Sequence, residues 1–141
     1  MRFWDSSAIV PLVLEEPTSE SLRELAWDGT ELLVWWATPV ECALAVARRE
    51  RHGAITAQEA SKALGTLDEL SERWREVPPR RALRDDARRL IRIHDLRAAD
   101  AFQLAAARAG SDHAPEILPL TTLDDRLAAA ARREGFPVLP S

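Results

Sequence analysis

One acidic residue stands in a stretch of sequence that otherwise carries no charge. Asp100 is the only charged residue between positions 98 and 107, which otherwise hold alanines, Phe102, Gln103 and Leu104. A helix that is apolar nearly all round is buried, and an ionised carboxylate inside it is costly unless a cation or a set of donors compensates the charge. The pattern therefore indicates that Asp100 either has a strong partner or takes part in chemistry.

Three further acids follow short apolar segments. Asp5 comes after the apolar start of the chain, Glu41 after residues 32–37, and Asp124 after residues 117–120. In open α/β sheets, ligand sites gather beyond the carboxyl ends of the strands, so acids that follow strands would meet at one edge. Without a cation these acids would repel one another, whereas Mg²⁺ and Mn²⁺ prefer oxygen ligands. We therefore predict a divalent-metal site built from Asp5, Glu41, Asp100 and Asp124.

Helix capping is the competing explanation for two of these positions. Thr38 and Glu41 have the spacing of a capping box, and so do Thr122 and Asp125, which leaves Asp124 outside the box. Acids in the first turn of any helix are also stabilised by the helix dipole. On this interpretation Glu41 would be a cap and nothing more.

The other two acids have weaker structural alternatives. Asp100 could form a buried ion pair with Arg97 or with another arginine. Asp5 would have no capping role if Ser6 or Ser7 caps the helix that follows it. Both acids therefore remain strong candidates for the metal site.

Length, composition and charge place limits on the kind of protein. The 141 residues predict a single domain spanning residues 1–141, and 46% hydrophobic with 30% charged residues is ordinary for a soluble globular protein. The single cysteine, Cys42, cannot form an internal disulfide, and we see neither a signal peptide nor an apolar run long enough to span a membrane. We therefore expect a cytoplasmic protein. Its net charge of −4 means that nucleic-acid binding would need a local basic patch.

Short apolar segments alternate with amphipathic ones along the chain. This alternation predicts an α/β sandwich with a mainly parallel central sheet. Strands are predicted at residues 1–4, 32–36, 75–77, 117–120 and 135–139. Helices are predicted at residues 6–14, 19–27, 38–52, 56–74, 82–93, 97–109 and 122–133, with Thr38 and Thr122 as caps.

The segments around the acids resemble the motifs of the PIN-domain ribonucleases and, within them, of the VapC-like toxins of bacterial toxin-antitoxin modules. Residues 3–8 look like the opening Asp-Thr/Ser-Ser-Ala motif, and residues 38–41 look like the segment with the second acid. Residues 97–105 are similar to the most recognisable segment of the family. Residues 122–127, followed by Gly135 and Phe136, resemble the closing motif. The resemblance covers essentially the whole chain in the same order.

The resemblance implies a fold and an activity. The fold would be PIN-like, an α/β/α sandwich, and the protein would be an endoribonuclease that depends on Mg²⁺ or Mn²⁺. It would be the toxin of a pair, with RNA as substrate and a small VapB-like antitoxin protein as partner, and we expect a homodimer. By position, Asp5, Glu41, Asp100 and Asp124 would form the acidic cluster that holds the metal, with Asp5 and Asp100 favoured as its direct ligands and with Ser7 and Thr122 orienting carboxylates.

Two arginines and one doubled acid complete the predicted site. Arg97 and Arg126 are the basic residues that the motifs place nearest the acids, so we expect them to contact RNA phosphates, although either could instead pair with an acid. The pair Asp124 and Asp125 is doubled relative to the family motif, so either could face the metal.

Two other functions are compatible with the sequence. The same fold could serve RNA or DNA processing without an antitoxin. The chain could also be a catalytically silent α/β interaction module, in which the acids are only caps and buried pairs. Metal binding would separate either enzyme from the silent module.

Overall fold

The computed structural model describes all residues 1–141 and contains one five-stranded sheet with helices on both faces. Every strand pairs in parallel with its neighbour, in the order β3-β2-β1-β4-β5. The predicted α/β sandwich with a mainly parallel sheet is therefore confirmed. The strands are β1 (Arg2–Trp4), β2 (Leu32–Trp35), β3 (Arg75–Val77), β4 (Leu120–Thr121) and β5 (Val138–Leu139).

Seven α-helices connect the strands, with a single 3₁₀ turn at Pro115–Ile117. The longest is α4 with 15 residues, and none combines the length and hydrophobicity needed to cross a membrane. The helices are α1 (Ser6–Val13), α2 (Ser19–Ala26), α3 (Thr38–Arg51), α4 (Ala57–Ser71), α5 (Arg81–Ile93), α6 (Ala98–Gly110) and α7 (Asp125–Arg133).

The central strands are short and apolar because both of their faces are covered. Phe3 and Leu33 point into a core formed with α5, α6 and α7. Their chain neighbours Trp4 and Val34 point into a second core formed with α1 to α4. Successive side chains of a strand alternate between the two faces, so a run without polar residues fills both cores.

All strands are parallel, so their carboxyl ends lie at one edge of the sheet. Asp5 directly follows β1, and its backbone N–H donates to Thr121 O at 3.0 Å, which extends the pairing of β1 with β4. Trp36 follows β2, Thr122 follows β4, and Arg80 lies shortly after β3. Residues that are far apart in the sequence therefore meet at this edge.

The predicted caps of α1 and α7 are wrong. Asp5 is the N-cap of α1, where its side chain accepts from the N–H of Ser7, so neither serine is the cap. Asp124 is the N-cap of α7 and accepts from the N–H of Leu127, so Thr122 is not its cap. In both cases an acid directly before the helix caps it, which is compatible with a second role for the same carboxylate.

The predicted capping box of α3 is also absent. Thr38 lies inside the helix and is buried, Ala37 is the N-cap, and no side chain caps the first turn. The capping interpretation of Glu41 therefore lacks its partner. Strand β4 begins later than predicted, at Leu120, because the chain at residues 115–117 forms the 3₁₀ turn.

A partly buried ionic network holds α6 between α5 and α7. Arg108 of α6 donates through Nε to Asp86 Oδ2 at 2.7 Å and through Nη1 to Glu134 Oε1 at 2.8 Å. His94 Nε2 lies 2.8 Å from the other oxygen of Glu134. These charges are only partly exposed and pair with one another, so the network helps to hold the helix that carries Asp100.

Candidate active site

Asp5 is the most buried acid at the carboxyl edge of the sheet, with 3% of its surface exposed. Its Oδ2 accepts hydrogen bonds from Ser7 Oγ at 2.5 Å, from Ser7 N at 3.3 Å and from Thr122 Oγ1 at 2.8 Å. Its Oδ1 has only a long contact of 3.4 Å with Ser6 Oγ. Oδ2 is therefore fully used within the protein, and Oδ1 is the oxygen that can bind a ligand.

The two hydroxyls on Asp5 join the start of α1 to the segment after β4. Ser7 Oγ accepts from Leu123 N at 2.9 Å, and Thr122 Oγ1 accepts from Asp124 N at 3.1 Å. Each hydroxyl thus accepts from the β4–α7 segment while it donates to Asp5. The two hydroxyls therefore orient the carboxylate of Asp5. Contact with a carboxylate of the cluster is what the motifs led us to expect of Ser7 and Thr122.

Glu41 lies in the first turn of α3 and faces Asp5. Its Oε2 accepts a hydrogen bond from Gln103 Nε2 at 2.8 Å. Ser6 Oγ lies 3.4 Å from Glu41 Oε1 and 3.4 Å from Asp5 Oδ1. The hydroxyl of Ser6 therefore lies close to both carboxylates, so Glu41 at the start of α3 is near Asp5 at the end of β1.

Gln103 is a site residue that the sequence analysis did not select. It is fully buried and also donates to Thr38 Oγ1 at 3.2 Å. Its signal in the sequence was the single amide within the apolar helix α6, because a buried polar side chain must find a partner. Here the partner is Glu41, and the amide orients that carboxylate.

Asp100 lies in the first turn of α6 with a carboxylate oxygen that has no partner. Its Oδ2 is buried and accepts no hydrogen bond. Arg97 Nε is 3.9 Å away, which is too far for a hydrogen bond, and the Arg97 side chain is 75% exposed. Arg97 and Asp100 therefore do not form the buried ion pair that was the alternative to a metal site; they make only a loose contact across one helical turn.

Asp124 is the member of the doubled pair that is electrostatically close to the other acids. Its charge contributes to raising the pKa of both Asp5 and Asp100. Its own Oδ1 accepts from Leu127 N at 2.8 Å as the cap of α7. Asp125 is exposed in the first turn of the same helix.

Three acids of the cluster, Asp5, Glu41 and Asp100, hold protons more tightly than ordinary carboxyls. Burial raises the pKa of Glu41 to about 7, and the charge of Asp5 adds to the effect. Burial is also the main cause of the raised pKa of Asp5, opposed by its hydrogen bonds from Ser7 and Thr122. The pKa of Asp100 is raised by burial and then by the charges of Asp124 and Asp5. A cluster that resists ionisation in this way is one that a cation would stabilise.

The donor set fits a hard divalent cation. With the side chains as they stand, no group of three or more His, Cys, Asp or Glu side chains could hold a metal ion. Mg²⁺ keeps several of its waters and needs only one or two direct carboxylates, so water can bridge the remaining distances. The oxygen-only donors, the raised pKa values and the unpartnered Oδ2 of Asp100 are all compatible with such an ion.

The two predicted RNA-contacting arginines lie at the rim of the cluster. Arg126 is in the first turn of α7 with 57% of its side chain exposed, and its only ionic contact is Asp95 at 4.0 Å. Arg97 is the N-cap residue of α6 and contacts Asp100 as described above. Neither arginine is held tightly by an acid, so both side chains can reorient.

Comparisons with known proteins agree with this architecture. The family model described as PIN domain matches residues 2–133. Ribonuclease VapC45 of Mycobacterium tuberculosis (strain CDC 1551 / Oshkosh) and Ribonuclease VapC49 of Mycobacterium tuberculosis (strain ATCC 25618 / H37Rv) are each 34% identical to the chain over 142 residues, which covers 99% of the chain and 94% of each relative. The fold is similar to that in the crystal structure of FitAcB from Neisseria gonorrhoeae, with a TM-score of 0.67, 16% sequence identity, and coverage of 98% of this chain and 96% of that one.

Proposed function

The chain belongs to the PIN-domain family of VapC-like ribonucleases, and we propose that it is an endoribonuclease that uses Mg²⁺ or Mn²⁺ to hydrolyse RNA. The observation that carries this proposal is the group of acids at one sheet edge, in which the charges of Asp5, Asp100 and Asp124 each raise the pKa of a neighbouring acid. Structural acids are normally stabilised by donors or cations, so mutual destabilisation points to a missing positive charge. The acids concerned are Asp5, Glu41, Asp100 and Asp124.

The oxygens without strong partners in the protein are the ones we assign to the cation. Asp5 would bind through Oδ1, whose one protein contact is the long one with Ser6, and Asp100 through the buried Oδ2, which accepts no hydrogen bond. When bound, a divalent ion activates water and neutralises the charge that develops on a phosphodiester. Ser7 and Thr122 hold Asp5 in position for this purpose.

Glu41 is the carboxyl that we assign to proton exchange. Without the cation its pKa is about 7, close to neutrality, which is the range in which a general acid or base works best. Gln103 occupies Oε2, so Oε1 is left to accept or release the proton. Asp124 caps α7 and adds negative charge beside Asp5 and Asp100.

Cleavage of RNA by the purified chain tests this proposal. We expect internal cleavage in the presence of Mg²⁺ or Mn²⁺ and complete loss of cleavage in EDTA, with recovery when the ion is returned. Asp100→Asn protein, prepared in the same way, excludes a contaminating nuclease. Cleavage that persists in EDTA, or in the variant, would overturn the proposal.

We also propose that the chain is a toxin, that it acts as a homodimer, and that a small VapB-like protein inhibits it. This rests on the VapC-like family to which the chain belongs. Co-expression with the product of a neighbouring small gene should relieve growth inhibition and yield a complex. If no neighbour relieves the inhibition, or if the chain does not inhibit growth, a nuclease for RNA or DNA processing is the better description.

A further inference from the structure

A cavity of about 430 Å³ lies at the carboxyl ends of β2 and β3. Its walls combine aromatic rings with guanidinium groups, and nothing in the proposed chemistry uses it. We call it the Trp36 cavity, and its principal lining residues are Trp35, Trp36, Phe102, Arg80, Arg81 and Arg84.

The aromatic wall consists of a buried ring, Trp35, and a solvent-exposed ring, Trp36. Trp35 is buried, and its ring stacks on Phe102 with a centroid distance of 5.5 Å and an angle of 6° between the rings. Trp36 meets Trp35 edge to face at 6.3 Å and 69°. Yet 55% of the surface of Trp36 is exposed, so its indole is accessible from solvent. Such a ring can stack with another flat group at little entropic cost.

The basic wall consists of arginines that have no acidic partner. Arg80, Arg81 and Arg84 are exposed, and none of them lies within 4.0 Å of a carboxylate. Arg80 is the N-cap residue of α5 and Arg84 lies just after the first turn of that helix, and both line the cavity. In a protein of net charge −4, three unpaired arginines around one cavity form a local site for an anion.

The position of the cavity connects it to the acids. Phe102 lies on α6 shortly after Asp100, and Trp36 is separated from Glu41 only by the start of α3. Strand β3 is two positions from β1 in the sheet, which at the usual strand spacing is roughly 10 Å. A short stretch of a nucleic-acid strand can therefore reach from the arginines after β3 to Asp5 after β1.

We propose that the Trp36 cavity is a nucleotide-binding subsite. An unpaired base of the RNA stacks on Trp36, and the phosphates next to that base are held by Arg80 and Arg84. The planar fork of arginine fits phosphate oxygens, and an aromatic ring accepts any base that is out of a duplex stack. This proposal rests on the proposed ribonuclease function, and it explains how a cluster of carboxylates can retain a polyanion nearby.

Binding of a labelled single-stranded oligoribonucleotide, measured by fluorescence anisotropy in EDTA to prevent cleavage, tests the subsite. Trp36→Ala should weaken binding by about tenfold, the usual loss for one stacked base. Trp36→Leu keeps an apolar side chain without a ring and should lose as much, whereas Trp36→Phe should retain most of the affinity. Trp27→Ala is the matched control, because Trp27 is 54% exposed and has Arg73 at 5.9 Å from its ring centroid. It should bind like the wild type.

Binding of an anion that has no bases distinguishes the contribution of the Trp36 ring from that of the arginine charges. Inorganic polyphosphate should bind Trp36→Ala and wild-type protein equally, whereas Arg84→Ala should bind both polyphosphate and RNA more weakly. If the wild type cleaves RNA with Mg²⁺ but Trp36→Ala and Trp36→Leu bind RNA as tightly as the wild type, the subsite is wrong while the ribonuclease function stands. The exposed ring of Trp36 would then be assigned to contact with a protein partner. If the wild type neither binds nor cleaves RNA, the proposed function fails and the subsite fails with it.

Discussion

Gln103 Nε2 lies 2.8 Å from Glu41 Oε2 and thereby connects α6 to the first turn of α3. Asp100 is three residues before Gln103, so both side chains lie on the same face of α6. One helix therefore supplies an acid without a partner and an amide that holds another acid in place. The network around Arg108 holds α6 against α5 and α7, and the bond from Gln103 to Glu41 links the same helix to α3.

Replacing Gln103 with Met should slow cleavage by about 10- to 100-fold, the usual cost of losing a group that orients a site carboxylate. The hydrogen bond from Gln103 lowers the pKa of Glu41, so its loss should move the acid limb of the pH–rate profile to higher pH. Cleavage rates measured across pH 5–9, in saturating Mg²⁺, would show both effects.

Gln58→Met is the control for this substitution, because Gln58 is exposed on α4. It should leave both the rate and the pH profile unchanged. A Gln103→Met protein that is slow but keeps the wild-type acid limb would show that Gln103 fills space and does not act on Glu41.

Asp100→Asn should abolish detectable cleavage without unfolding the protein. The amide keeps the shape of the side chain but removes the negative charge that we assign to binding the cation. The cleavage rate should therefore fall by more than roughly a hundredfold, which is more than the loss of a residue that only orients a ligand. Burial and the charges of Asp124 and Asp5 disfavour the ionised form of Asp100. Removing this charge should therefore leave the melting temperature in EDTA the same or raise it.

Asp85→Asn provides the comparison, because Asp85 is exposed on α5 outside the cluster. It should keep wild-type cleavage. A well-folded Asp100→Asn protein with full activity would remove Asp100 from the metal site.

The stability of the cation-free protein should fall as the pH rises from about 4.5 to about 7. Folding raises the pKa of Glu41 from its ordinary value of 4.5 to about 7, so the folded state binds the proton more tightly than the unfolded state. The stabilisation is complete below pH 4.5 and is lost as the pH passes through 7. Excess Mg²⁺ should restore stability most strongly at the upper end of this range.

Thermal melts in EDTA at several pH values measure this trend. Glu41→Gln should flatten it, whereas Glu24→Gln, on an exposed position of α2, should not. A melting temperature that rises steadily across this window in both the wild type and Glu41→Gln would contradict the assignment of the trend to Glu41.

The sequence was sufficient for the sheet and for the approximate location of the acids. The run from Leu32 to Trp36 has no alternation, which is typical of a strand covered on both faces, and β2 is such a strand. Asp5 and Asp124 follow β1 and β4 closely, so parallel pairing alone brings them to one edge. Local patterns of this kind depend only on neighbours in the chain.

The errors concern contacts between distant parts of the chain. Ser7 was a reasonable cap by its residue type, but its hydroxyl is occupied by Asp5 and by Leu123, which is 116 residues away. Gln103 was visible as a lone amide, but its partner Glu41 is 62 residues away. Residue types show that a polar group needs a partner, and only the fold shows which one it has.

Arg126→Ala should weaken RNA binding without changing the affinity for metal. Its side chain is 57% exposed at the start of α7 and has only a 4.0 Å contact with Asp95, so removing it leaves the carboxylates undisturbed. One phosphate contact fewer should reduce the slope of log affinity against log salt by about one. Arg133→Ala, at the far end of the same helix, should change neither quantity. Anisotropy titrations at several salt concentrations, together with calorimetry of Mn²⁺ binding without RNA, give both values. If the affinity for Mn²⁺ falls together with RNA binding in Arg126→Ala, the arginine supports the carboxylates and its assignment as an RNA contact is wrong.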